Sequence, residues 1–198
     1  MTPILPIAEK DIAAASRVLS DAFMNDPLQQ YVFPDAAERR EKSPAHFEAV
    51  IRYGWLFGQV HTTPDMQGIA VWLPPGHTEV TPEKAEKAGL GNLPVILGEA
   101  AADRFFGVMD FLDPFHSEDA AQPHWYTMVI GVHPSFCGQG YGRALMQAVI
   151  KKAAAEGTAV YLETAGPSNI PFYRSLGFTL LRELTDPASG LPLWTFKY

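Results

Sequence analysis

Ser135-Phe136-Cys137-Gly138-Gln139-Gly140-Tyr141-Gly142-Arg143 decides how the rest of this chain is read. Its alternate glycines stand between a strand-like run, Trp125 to Val132, and a helix-like run, Ala144 to Ala155. At such a strand-to-helix junction, backbone N–H groups and the positive helix end converge on an anion, usually a phosphate. The stretch predicts a phosphate-bearing ligand, and the flanking elements decide which one.

Downstream the pattern is regular: strand 125–132, glycine loop, helix 143–156, Gly157, strand 158–164, short helix 169–176 and Gly177. Strands 178–184 and 193–198, joined through Asp186-Pro187, close the chain as an antiparallel edge. The strand–helix–strand unit implies a parallel pair connected by a right-handed crossover. Upstream, Ile12, Ala15, Leu19 and Phe23 fall at helical spacing, so 9–24 reads as an amphipathic helix. It stops at Asn25-Asp26-Pro27, because proline disfavours helix in the residue before it. A second helix is placed after Pro44, with Phe47, Val50, Ile51 and Trp55 on its buried face. Gln59 to Thr63 and Gly68 to Leu73 read as a hairpin around Pro64-Asp65, ended by Pro74-Pro75-Gly76. Thr81-Pro82 is a helix start, and 92–112 carries a further helical pattern rich in Ala, Leu and Phe. Residues 77–120 read as a helical insertion in one domain, 1–198, of mixed α/β architecture.

Composition bounds the function. The 198 residues are 47% hydrophobic and 19% charged, which are globular values. Fifteen basic residues against 22 acidic ones give −7, with no Lys/Arg cluster, so nucleic acid is not an expected partner. No apolar run approaches the roughly 20 residues that span a bilayer, so no membrane partner is expected. Met1-Thr2-Pro3-Ile4-Leu5-Pro6 lacks a basic n-region followed by an apolar stretch, hence no signal peptide is expected. A single cysteine forms neither an internal disulfide nor a cysteine metal cluster, and suits a reducing cytoplasm.

The glycine stretch is not a Walker loop, because no Gly-Lys-Ser/Thr follows. The dinucleotide fingerprint would place its third glycine at 143, where Arg143 stands, although Glu163 lies about where that fingerprint places its acid. A merely structural glycine turn is the remaining alternative. The pattern resembles the acyl-CoA motif of the GNAT-type N-acetyltransferases, Arg/Gln-x-x-Gly-x-Gly/Ala, which Cys137 to Gly142 occupies here. Tyr161-Leu162-Glu163-Thr164, Asn169-Ile170-Pro171-Phe172-Tyr173 and Leu176-Gly177-Phe178 resemble the second half of that family's signature. The likeness is closest over 124–198 and looks most similar to the puromycin N-acetyltransferase-like members. Asp21-Ala22-Phe23, Asp26-Pro27 and Ala70-Val71-Trp72 extend it more weakly into the N-terminal half.

The resemblance implies a mostly antiparallel sheet with one splayed parallel pair, flanked by helices. It also implies direct acetyl transfer from acetyl-CoA to the primary amine of a small molecule, without a metal. A protein or peptide amine, or a CoA-binding sensor without turnover, are the alternatives; the chain is expected to be a monomer or homodimer. By resemblance, Ile130, Gly131 and Val132 contact pantetheine, Gly131 leaving room for close approach. The loop and first helical turn, Cys137, Gly138, Gln139, Gly140, Tyr141, Gly142 and Arg143, take the phosphates. Cys137 departs from the family's Arg or Gln and supplies no charge-assisted contact. Its other reading is a small residue in a tight loop.

Asn169 and Tyr173 share one face of the short helix, which Ser168 or Asn169 caps, with Phe172 beside them. Asn169 would bond pantetheine and Tyr173 would place its hydroxyl near the thioester sulfur. A phenol near pKa 10 gives up its proton to a thiolate near 8.5 only uphill, so Tyr173 acts by hydrogen bonding. Its alternative is an aromatic packing against Phe172 or Phe178. An alkylamine with pKa near 10 arrives protonated, so a base is needed. Glu163 leads, because a carboxylate in a buried strand is costly unless used or paired; a salt bridge or helix cap is its other reading. His124 and Tyr126 are further candidates, and His133 reads as a loop residue. The acceptor pocket is assigned to Phe23, Asp26, Tyr31, Trp72, Phe111 and His116, with His124 and Tyr126. These aromatics also suit a plain core.

Overall fold

Seven strands form one sheet in the order β1-β2-β3-β4-β5-β7-β6. They are β1 Leu5–Pro6, β2 Gln59–Thr62, β3 Gly68–Leu73, β4 His124–Val132, β5 Ala159–Thr164, β6 Thr179–Thr185 and β7 Pro192–Lys197. In this computed structural model, which describes residues 2–198, all neighbouring strands run antiparallel except β4 and β5. A parallel pair needs a long crossover, and helix α7, Tyr141–Glu156, supplies it. The remaining helices are α1 Ile12–Ala22, α2 Pro27–Val32, α3 Ala36–Phe57, α4 Pro82–Ala88, α5 Leu93–Leu97, α6 Glu99–Asp119 and α8 Ile170–Ser175.

Helices cover both faces of the sheet, so its central strands bury both sets of alternating side chains. All six residues of β3 are buried. Ala70 and Trp72 join Leu145, Met146 and Val149 of α7, while Ile69 and Val71 join Leu19 of α1 and Ile51 of α3. A third cluster, including Val50, Tyr53, Leu93 and Leu97, packs α3 against α5.

Two helices differ from their expected limits. The helix placed after Pro44 begins at Ala36, where the Asp35 carboxylate accepts from the Ala37 and Glu38 N–H groups at 3.0 and 2.8 Å. Pro44 costs one helical bond, but the buried Arg39 fastens the preceding turn, its Nε donating to Met24 O at 2.8 Å. The run expected over 92–112 divides at Gly98, whose φ of +89 ends α5, and α6 then continues to Asp119. The side chain of Asn169 does not cap α8; it donates from Nδ2 to Thr164 Oγ1 at 3.0 Å.

Candidate functional site

The parallel strands touch only at their starts, where His124, Trp125 and Tyr126 pair with Ala159, Val160 and Tyr161. Beyond that point β4 keeps β3 as its partner and β5 keeps β7, so the pair splays. Val71 pairs with Val129 and Trp72 with Thr127, which leaves Met128 as an extra residue on β4. A bulge of this kind bends its strand and breaks the ladder. Open α/β sheets bind ligands beyond the carboxyl ends of such strands.

The glycine loop lies there. Gly138 and Gly140 adopt φ of +76 and +87, a left-handed conformation that glycine takes without strain. A Cβ at either would meet nothing within 4 Å, so this backbone surface is open. The N–H groups from Gly138 to Arg143 find no backbone acceptor among the described residues. Free donors at the positive end of α7 fit a diphosphate. The exposed Arg143 points its Nη2 at Ser175 Oγ, 2.7 Å away. The exposed Cys137 thiol faces the carbonyls of Val132 and His133, each at 3.8 Å.

A cavity of about 580 Å³ opens beside the splayed strands, within the range of small-molecule sites. Phe23, Phe47, Phe105, Phe106 and Met109 form much of its apolar wall, and Tyr126 to Ile130 form its β4 wall. Asn169 and Tyr173 also line it. Carboxyl groups enter from Asp26, Asp110, Asp113 and Glu163. Asp26 caps α2, its Oδ1 accepting from Leu28 N and Gln29 N at 3.0 and 3.2 Å. Burial raises Asp26 above the usual carboxyl range, against the pull of those two N–H groups. The Tyr173 ring packs among Phe172, Phe178 and Phe196. Burial first, then the charge of Asp26, pushes its phenol well above its ordinary value, so it stays a proton donor.

Glu163 is the most perturbed acid of the site. Burial pushes its carboxyl up to about 7, and the Tyr126 and Tyr161 hydroxyls that face it draw it back. Its Oε1 lies 3.5 Å from His116 Nδ1. Burial first, and His124 next, hold His116 down to about 4, so this is a contact between a neutral imidazole and a carboxyl, not an ion pair.

The Acetyltransferase (GNAT) family profile matches residues 67–178, more than half of the chain. The chain belongs to the GNAT acetyltransferase family. It is therefore an acyltransferase, and acetyl-CoA is the cosubstrate that the family uses. An uncharacterized N-acetyltransferase of Schizosaccharomyces pombe is 29% identical over 197 residues, covering 94% of this chain and 79% of its own. A Corynebacterium glutamicum structure, described as histone acetyltransferase HPA2 and related acetyltransferase, is 27% identical with a TM-score of 0.73; the match covers 100% and 96% of the two chains. Arylalkylamine N-acetyltransferase 2 of Aedes aegypti shares the fold at 14% identity and a TM-score of 0.63, over 99% and 97% of the two chains.

Within this GNAT fold, Phe23, Asp26, His116, Tyr126, Ile130, Glu163, Asn169 and Tyr173 meet in one cavity. Other expected residues do not line it. Trp72 is wholly buried in the α7-facing core. Tyr31 and Phe111 pack into a separate apolar cluster with Val108 and Leu112. His124 stands behind His116, their Nε2 atoms 2.9 Å apart. The close approach expected at Gly131 is made by α1: an added Cβ would lie 2.9 Å from Leu19 Cδ2 and Phe23 Cε2.

Sequence reasoning missed the wall built by Phe47, Phe105, Phe106 and Met109. It also missed a buried chain in which Ser43 Oγ donates to Gln29 Oε1 at 3.3 Å and Gln29 Nε2 lies 3.2 Å from His46 Nδ1. Burial holds that histidine at about 4, hence neutral. Helical periodicity marks these residues as apolar or polar positions, and only the meeting of α3 and α6 side chains, as where the His46 and Phe105 rings lie 4.5 Å apart, makes them a pocket. Among the described residues, no group of three or more His, Cys, Asp or Glu side chains is placed to hold a metal ion.

Proposed function

We propose that the chain transfers the acetyl group of acetyl-CoA directly to the primary amine of a small molecule, with Glu163 as general base. The observation that carries this reading is the burial of Glu163 in the cavity wall with its carboxyl raised to about 7. A base poised near the working pH combines enough ionised form with enough proton affinity. The apolar wall with its carboxyl groups suits a cation carrying an apolar body. The fold is shared with enzymes named for agmatine and for arylalkylamines, so it admits acceptors of that kind.

The open N–H groups from Gly138 to Arg143 would hold the diphosphate of the cosubstrate, whose thioester supplies an activated acetyl group. Asn169 and the edge of β4 at Ile130 would orient the pantetheine arm. Glu163 takes the proton that the incoming ammonium must lose. The protonated Tyr173 hydroxyl donates a hydrogen bond where the thiol leaves. Residues 77–120 act in this reading as an insertion of one 1–198 domain, with α6 closing the acceptor side.

Free-thiol release from acetyl-CoA tests the proposal with a panel of 2-phenylethylamine, tyramine, agmatine, spermidine, puromycin and a lysine-containing peptide. Turnover with a small amine and none with the peptide is expected. Turnover with the peptide alone moves the acceptor to a protein amine, and acetyl-CoA binding without any release leaves a sensor. A Glu163→Gln enzyme with full activity on the accepted amine removes the base.

A further inference from the structure

We propose that the end of the cavity at His46 is a second recognition point for the acceptor, and that the acceptor is an elongated primary amine carrying an uncharged oxygen at the end opposite its amine. The inference rests on the reading of the chain as a small-amine acetyltransferase and narrows the class of amine. It starts from one nitrogen that the fold leaves without a partner.

His46 stands on α3 with 1% of its surface exposed, and it lines the cavity. Its Nδ1 faces the Gln29 amide at 3.2 Å, and its Nε2 has no hydrogen-bond partner among the described residues. The polar chain behind the ring determines which nitrogen holds the proton. Ser43 Oγ donates to Gln29 Oε1, so the amide turns its Nε2, a donor, toward His46 Nδ1. His46 Nδ1 therefore accepts. Burial keeps the imidazole neutral, so its single proton sits on Nε2.

Two aromatic rings pack against this imidazole. Phe47 lies nearly parallel to it, centroids 5.4 Å apart at 13°, and Phe105 lies nearly perpendicular, at 4.5 Å and 77°. Neither side chain offers an oxygen. A buried donor without an acceptor is rare in folded proteins and costs free energy. In a cavity wall, an acceptor atom on a ligand relieves that cost, and the apolar surroundings strengthen the bond. A distal ammonium cannot serve, because it only donates. A hydroxyl, ether or carbonyl oxygen can.

Helix α6 sets the distance from this point to the reacting amine. His116, beside Glu163, and Phe105, beside His46, both line the cavity. Eleven positions of α6 separate them, about 16 Å at the rise of an α-helix. Phe106 and Met109 line the stretch between, which suits an apolar chain or ring. Glu79, Asp110 and Asp113 also line the cavity, but all three are exposed. Solvent there weakens their hold on a second cation. The acceptor is thus read at both ends, its amine at Glu163 and its oxygen at His46.

Isothermal titration of the chain saturated with CoA tests the subsite without turnover. The probes are linear amino alcohols from 5-aminopentan-1-ol to 12-aminododecan-1-ol, beside 1-aminoalkanes and terminal diaminoalkanes of matching length. The long amino alcohols should bind about tenfold more tightly than the matching alkylamines, and the short ones should show no preference. His46→Asn keeps an acceptor toward Gln29 and removes the Nε2 donor, so the preference should vanish or reverse. His46→Phe, which keeps a ring in place, should do the same and serves if the asparagine variant does not fold. His46→Gln returns an amide N–H near the Nε2 position and should restore part of the preference. Nitrogen-15 NMR should find the His46 proton on Nε2. A proton on Nδ1, a preference that survives in the folded His46→Phe protein, or tighter binding of the diamines than of the amino alcohols overturns the proposal. Thiol release from acetyl-CoA with the same probes keeps this apart from the transfer reading. A preference that depends on His46 without release supports the subsite and strikes the transfer. Release without the preference strikes the subsite and leaves the transfer, and neither binding nor release strikes both.

Discussion

Glu163 Oε1 and His116 Nδ1 lie 3.5 Å apart, and the same burial drives their proton affinities in opposite directions. The carboxyl rises to about 7 and the imidazole falls to about 4. A carboxyl raised on folding stabilises the fold fully below its unfolded value, and that contribution is lost as pH rises through about 7. A histidine lowered on folding does the reverse: its contribution is complete above its unfolded value and is lost as pH falls through about 4. Glu163→Gln should therefore match the native stability near pH 4.5 and exceed it at pH 8, by on the order of 3 kcal/mol. Urea unfolding at the two pH values measures this; the same difference at both would mean that Glu163 titrates normally in the fold.

Tyr173 tests the leaving-group side. Its ring fills a space among Phe172, Phe178 and Phe196, which phenylalanine fills equally well. Tyr173→Phe should unfold like the native chain yet lose about a hundredfold in kcat, with little change in KM for acetyl-CoA. An unchanged kcat would reduce Tyr173 to a packing residue.

Gly131 should not accept a methyl group. The Cβ of alanine would lie 2.9 Å from Leu19 Cδ2 and Phe23 Cε2 and 3.0 Å from Ala22 Cβ, all on or beside α1. Gly131→Ala should cost about 1–3 kcal/mol in stability. Because Phe23 lines the cavity, KM for the amine should rise as well. Thermal unfolding and amine kinetics read the two effects; native values for both would mean that α1 yields freely.

Cys137 is exposed and makes only weak thiol contacts, so its replacement disturbs little. An arginine there adds a charge-assisted donor beside the open N–H groups of the loop. Cys137→Arg should bind acetyl-CoA up to about tenfold more tightly, a gain of about 1.4 kcal/mol, in isothermal titration. Tighter binding by the native protein would contradict a diphosphate at this loop.

Local chemistry was readable wherever one residue type meets one backbone need. Thr81 caps α4 through its hydroxyl, with Pro82 at the first helical position. Gly157 ends α7 in the left-handed conformation. The limits of α3 were not readable, because Pro44 argues locally for a break that the anchored Arg39 overrides from another part of the chain. Trp72 and Phe105 look alike as apolar aromatics, yet one closes the core and the other faces the cavity.

Read along the chain alone, the residues give the order of the strands from β2 onward, the strand–glycine loop–helix unit with its open donors, and Glu163, Asn169 and Tyr173 after it, whereas β1, α2 and the division of α5 from α6 leave no such local mark. Spacing along one chain carries those features, since caps, positive φ and periodicity act over a few residues. Tertiary structure alone decided that β4 and β5 part after Tyr126, that α3 and α6 wall the cavity, and that His116 meets both Glu163 and His124. Such contacts join residues that are distant in sequence, and burial that no local pattern records sets the proton affinities on which the chemistry turns.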